Sequence, residues 1–222
     1  MRCIVVTGGP LKDEAAKLIK DLSSSEEETF MISCDGGCDF LARFGIVPDM
    51  VVGDMDSITE KGLNFIESNN IFTEKYPVEK DWTDAEIALS KTDDSEVFLI
   101  TPFAGRPDHL IANIQMVLKF REEGRKITVS DGITYCYPLA GEDSVEIDVS
   151  SFDQPLSVSL VPWNFGSPVK GVTTTGLYYP LDDHDLTAGS TFSFSNHPVE
   201  KTGRISVSIR AGLLLVMVTF AN

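Results

Sequence analysis

The sequence predicts an α/β domain with a mostly parallel sheet, followed by an all-β domain, a sandwich or small barrel. Three observations carry this. Through about residue 135, short apolar runs alternate with stretches of helical period. From Ser144 onward the period is two. Between them lies the turn-rich stretch Tyr137-Pro138-Leu139-Ala140-Gly141, expected to link a domain at 1–137 to one at 142–222.

Taken in order, Cys3 to Val6 reads as a strand that ends in Thr7-Gly8-Gly9. Lys12 to Leu22 is helical, with Ala15, Ala16, Leu18, Ile19 and Leu22 on one face. Phe30 to Cys34 is a strand, and Cys38 to Phe44 a short helix stopped by Gly45. Met50 to Val52 is a third strand, Thr59 to Ser68 a helix, and Ile71 to Tyr76 extended. A helix begins near Thr83, and Val97 to Thr101 is another strand. Asp108 to Glu123 is an amphipathic helix, and Ile127 to Ser130 a closing strand. In the second half, alternation marks Val145-Ile147-Val149, Leu156-Val158-Leu160, Phe192-Phe194 and Ile205-Val207-Ile209 as strands. Leu213 to Phe220 is a continuous apolar strand, and Pro155, Gly166-Ser167-Pro168, Gly189, Gly203 and Gly212 are turn signals.

Net charge is −16 over 222 residues, which argues against nucleic acid or an anionic membrane as partner. The start of the chain has too short an apolar stretch for a signal peptide, and no run suits a transmembrane helix. Four cysteines, among them Cys34 and Cys38 in a C-x3-C spacing, read as reduced buried thiols of a cytoplasmic protein rather than a zinc site or a disulfide framework.

The chemistry is concentrated in acidic motifs at strand exits: Asp35-Gly36-Gly37, Gly53-Asp54-Met55-Asp56-Ser57, Lys80-Asp81-Trp82-Thr83-Asp84 and Gly105-Arg106-Pro107-Asp108-His109. Parallel strands end along one sheet edge, so these carboxylates can converge. Hard oxygen ligands suit Mg²⁺, and Lys80 and Arg106 suit phosphate. Each motif alone also has a structural reading. Asp54-x-Asp56 is a turn, Thr83 and Glu86 form a capping box, and Asp108 is a helix N-cap. His109 alone points to no metal. Their shared position at successive strand exits points to a metal-and-phosphate site. No P-loop, dinucleotide fingerprint or G-x-S-x-G motif is present in the sequence.

Together the motifs resemble the thiamin pyrophosphokinase family, in order and over nearly the whole chain. Asp35-Gly36-Gly37 looks like its D-G-G-x-N start, and Pro48-Asp49 with Gly53 to Ser57 like its P-D…G-D-x-D-S. Lys80 to Asp84 with Glu86, Ala88 and Leu89 looks like K-D-x-T-D-x-E-x-A-L, and Gly105 to His109 with Asn113 like its R-x-D-H…N segment. Thr175 to Leu181 and Ser195-Asn196 look like its thiamin-side segments. The resemblance implies Mg²⁺-dependent transfer of the diphosphate of ATP to thiamin, giving thiamin diphosphate and AMP, by a homodimer with sites at the subunit interface. It implies Mg²⁺ ligation by Asp54, Asp56 and Asp84, with Asp35 and Asp81 nearby. It implies phosphate contacts from Lys80, Thr83 and Arg106, an organising role for Asp108, and a part for Gly36 in the nucleotide site. Ser195, Asn196 and Tyr179 would meet thiamin. Asp39 departs from the family's usual Asn, and its charge is expected to alter nucleotide contacts. Trp163 is expected to fill the β core. The alternatives are transfer to a different acceptor alcohol, or a non-catalytic binder of thiamin or nucleotide.

Overall fold

The computed structural model describes residues 1–92, 96–150 and 156–220. The chain divides into two compact units. The first takes Met1–Met116 and Arg125–Ile133, the second Val117–Gly124 and the chain from Thr134 onward. The turn signal at Pro155 lies outside the described residues.

In the first unit the strands are β1 (Arg2–Val6), β2 (Thr29–Cys34), β3 (Met50–Gly53), β4 (Phe72–Lys75), β5 (Glu96–Ile100) and β6 (Ile127–Ser130). The helices are α1 (Asp13–Ser23), α2 (Gly37–Arg43), α3 (Glu60–Ser68), α4 (Asp84–Ser90) and α5 (Pro107–Glu122), the last of which passes into the second unit from Val117. The strands run in the order β4-β3-β2-β1-β5-β6, and each pair is parallel. Chain order therefore reverses between β1 and β5, the place where open α/β sheets form a crevice beyond their strand ends. Ile4, Val6, Ala15, Ile19, Leu41 and Ile100 form one core cluster, each Ile, Leu and Val contributing roughly 1.5–3 kcal/mol. Cys38, Val51, Ile58 and Ile71 form a smaller cluster.

The second unit contains the antiparallel set β7 (Thr134–Ala140), β13 (Leu213–Phe220) and β9 (Leu156–Pro162). Its second sheet, β11-β10-β12-β8, comprises His184–Leu186, Val169–Thr175, Arg204–Ile209 and Asp143–Asp148. Leu139, Val158, Leu160, Leu214 and Val216 share a core with Ile147, Val172, Ile205 and Val207, which makes the unit a sandwich.

Three expectations are corrected. Tyr137 to Ala140 is not a linker but part of β7, paired from Thr134 to Ala140 with β13. Burial of Thr134, Cys136 and Pro138 outweighs the turn signal of Pro138, which sits opposite Leu215. Phe192 and Phe194 do not lie in a strand. Phe194 N donates to Thr191 O in a turn, Ser195 takes φ of 57°, and both rings are exposed. The segment still follows β9, but through Ser193 and Ser195 rather than a regular ladder. Trp163 is half-buried, just past the end of β9, and is not part of the sandwich core.

Candidate active site

The site is built at the exits of β2 and β3. After Cys34, Asp35 turns into the left-handed region at φ of 40°, its N–H donating to Val52 O at 2.9 Å. Gly53 lies at φ of 148°, and a Cβ there would come within 2.9 Å of Asp35 Cβ. Glycine thus lets the two turns touch. Met55 also adopts a positive φ, of 69°, a conformation that costs a non-glycine residue about 1–2 kcal/mol. Its side chain packs on the Cys38, Val51, Ile58 and Ile71 cluster, which offsets that cost. Asp56 N–H donates to Asp54 Oδ1 at 3.1 Å and closes the turn. One oxygen each of Asp35, Asp54 and Asp56 falls within 4.8 Å of the others.

Asp35 is itself held. Its Oδ2 accepts from Ser57 N–H at 3.3 Å and from the Ser57 hydroxyl. Its Oδ1 is buried and has no hydrogen-bond partner. Across the site, Thr83 caps α4, its Oγ1 accepting from Glu86 N–H at 3.2 Å. Asp84 opens that helix. Lys80 Nζ lies 3.3 Å from Asp54 Oδ2 and 3.2 Å from Asp84 Oδ1. Asp84 Oδ1 is buried and takes no well-directed hydrogen bond, so Lys80 supplies it with charge more than geometry.

The electrostatics show a shortage of positive charge. The Asp56 backbone N–H, helped by Lys80, holds the Asp54 carboxyl below its usual range. The neighbouring Asp54 carboxylate pushes Asp56 up. Burial pushes Asp84 up, and Lys80 only partly opposes it because Asp35 and Asp54 add negative charge. Burial alone would lower the Lys80 ammonium, but Asp84 and Asp54 outweigh it and keep the group charged. Three carboxylates with a buried, unpaired oxygen among them fit a hard divalent cation such as Mg²⁺.

These residues line an open cleft of about 660 Å³, together with Gly36, Thr83 and Arg106. Asp81 and Asp108 do not line it. Asp108 is not the N-cap of α5, because Pro107 takes the first helical position, where its missing N–H costs nothing. The Asp108 carboxylate instead receives the Arg106 guanidinium at the cleft's rim, Nε donating to Oδ1 at 3.2 Å. Asp39 does not line the cleft; its carboxylate accepts from Thr59 N–H at 2.9 Å, bracing the start of α3. Ser57 stands in a sequence motif that gives it no role, and the cleft wall also holds a buried polar chain that no motif links. Thr101 Oγ1 accepts from the Thr7 hydroxyl at 2.8 Å and from Asn113 Nδ2 at 3.1 Å. The signal was there: Thr7 and Thr101 stand at matching exits of β1 and β5.

In the second unit, Asn196 is committed to backbone. Its Oδ1 accepts from Tyr179 N–H at 3.1 Å and His197 N–H at 2.9 Å, and its Nδ2 donates to Tyr179 O at 2.8 Å. Ser195 N–H donates to Ser159 Oγ. Tyr179 is exposed and packs edge-on to Tyr178, which stacks on His197.

Two family models match. Residues 22–129 match the catalytic domain of thiamin pyrophosphokinase, and residues 144–214 its vitamin B1 binding domain. The thiamine pyrophosphokinase of Bacillus subtilis (strain 168) is 33% identical over 220 residues, 96% of each chain. The chain belongs to the thiamin pyrophosphokinase family. Solved structures agree with this. The Bacillus subtilis thiamine pyrophosphokinase superposes with a TM-score of 0.82 at 27% identity, covering 100% of both chains. The thiamin pyrophosphokinase of Geobacillus thermodenitrificans gives 0.80 at 26%, covering 100% of this chain and 98% of its own. The α/β unit and the β sandwich are thus the family's architecture, and no helix among the described residues is long and apolar enough to cross a membrane.

Proposed function

We propose that this chain transfers the diphosphate of ATP to the hydroxyethyl oxygen of thiamin, as a cytoplasmic homodimer with sites at the subunit interface. The alcohol oxygen bonds to the β-phosphorus, the bond from that phosphorus to the oxygen bridging it to the α-phosphate breaks, and AMP leaves with that oxygen. The alcohol proton is released.

The observation that carries this reading is the Asp35, Asp54 and Asp56 cluster, with one buried oxygen unpaired, in a chain of this family. Mg²⁺ bound there would neutralise phosphate charge as the diphosphate moves. Asp54, Asp56 and Asp84 are the proposed ligands, and the close approach of Asp35 adds it to that set. Lys80, already charged and poised between two carboxylates, would turn an N–H toward a phosphate oxygen. Arg106 would do the same from the rim, and Thr83 would present the first turn of α4. Gly36 would let the nucleotide approach the backbone, while Asp81 and Asp108 would shape the rim. Tyr179, fixed by Asn196 beside Ser195, would pack on thiamin.

Incubation with ATP, Mg²⁺ and thiamin tests this. The expected products are AMP and thiamin diphosphate; ADP as the nucleotide product would overturn it.

A further inference from the structure

We infer that Ser57 is a positioning residue that presents Asp35 to the cation as a ligand of fixed orientation; this rests on the metal-site reading above. Asp35 has two oxygens with different fates. Oδ2 is taken by both donors of Ser57, its backbone N–H and its hydroxyl. Oδ1 is buried and unpaired, and an oxygen of this carboxylate falls within 4.8 Å of oxygens of Asp54 and Asp56. Ser57 is in turn fixed, because its Oγ accepts from Gly36 N–H at 3.1 Å. A Cβ on Gly36 would stand 3.0 Å from that Oγ, so a larger residue there would press on Ser57.

A carboxylate on a short side chain can rotate about its last bond and share either oxygen. Two donors on Oδ2 remove that freedom, so the cost of ordering the ligand is met before the cation arrives. Outer partners of metal ligands act in this way, and losing one commonly weakens metal binding by about ten- to a hundredfold. Ser57 touches no reacting atom in this scheme; it acts through Asp35.

The test uses Mn²⁺ titrated into the nucleotide-free protein, with free ion read by electron paramagnetic resonance. Wild type is expected to show a saturable site that Asp56→Asn abolishes. Ser57→Ala is expected to weaken it about tenfold or more, and to leave the melting temperature of the metal-free protein within a few degrees. Ser57→Thr keeps both donors and is expected to bind within about threefold of wild type. Ser57→Ala binding within about twofold of wild type would overturn the inference and leave the metal site standing. So would Ser57→Thr losing as much as Ser57→Ala. A wild type with no saturable Mn²⁺ site would overturn both.

Discussion

Lys80 Nζ stands 3.2 Å from Asp84 Oδ1, four residues on at the first position of α4, with the same ammonium 3.3 Å from Asp54 Oδ2. Both carboxylates therefore lean on a single cation. Lys80→Met removes it while keeping the stem. Turnover is expected to fall by about a hundredfold or more, the usual loss when a transition-state donor is removed. The metal-free protein is expected to lose about 1–2 kcal/mol in urea unfolding, because Asp84 is left buried without a counter-charge. Unchanged turnover would remove Lys80 from the reaction.

The carboxylates should trade stability for chemistry. Neighbouring charge raises Asp56, and burial raises Asp84. A carboxyl whose folded pKa is raised favours folding while protonated, below its unfolded pKa, and that benefit is lost as the pH rises through the folded value. At neutral pH both groups thus oppose folding of the metal-free chain. Asp56→Asn and Asp84→Asn are expected to be as stable as wild type or more so, yet to lose at least about a hundredfold in turnover. Thermal melts without metal, beside assays with it, test this. Lower melting with preserved turnover would contradict it.

Asp39 should matter to α3 rather than to nucleotide. Its carboxylate accepts from Thr59 N–H and the Thr59 hydroxyl, and Thr59 caps α3. Asp39→Ala is expected to cost about 1 kcal/mol, as for loss of a helix cap, with the KM for ATP within about twofold. A large change in that KM would restore the expected effect of its charge on the nucleotide.

The thiols predict an alkaline limit. Burial pushes Cys136 up to about 12, Cys38 to about 11, and Cys34 further still. These pKa values lie above the ordinary thiol value of 9.0, so the contribution is intact below pH 9 and is lost as the pH rises toward the folded values. Stability in urea is expected to fall by about 1 kcal/mol per buried thiol for each pH unit above 9. At pH 8 a thiol-reactive dye should find the four cysteines unreactive in the folded protein and reactive after unfolding. Fast labelling of the native protein would contradict the burial.

Asn196 should act on the acceptor side. Asn196→Ala frees Tyr179 from two hydrogen bonds, and the KM for thiamin is expected to rise about tenfold with the KM for ATP unchanged. Equal effects on both substrates would assign Asn196 a general structural role.

Residue order along the chain is enough to mark the alternating unit, the period-two unit and the strand exits that carry the acidic residues. Apolar spacing decides those, and spacing is local. It also placed Thr83 as a cap, because the T-x-x-E pattern contains its own partner. The tertiary structure alone decided which carboxylates meet. Asp35 and Asp54 belong to different strands, and only the parallel register of β2 on β3 brings their turns together. The same holds for Tyr137 to Ala140, where pairing with β13 overrode a proline signal, and for Phe192 and Phe194, where a turn overrode alternation. Ser57 shows the limit most directly. Its neighbours in sequence suggest a turn, but its task is set by an aspartate 22 residues away, which only the folded sheet brings within reach.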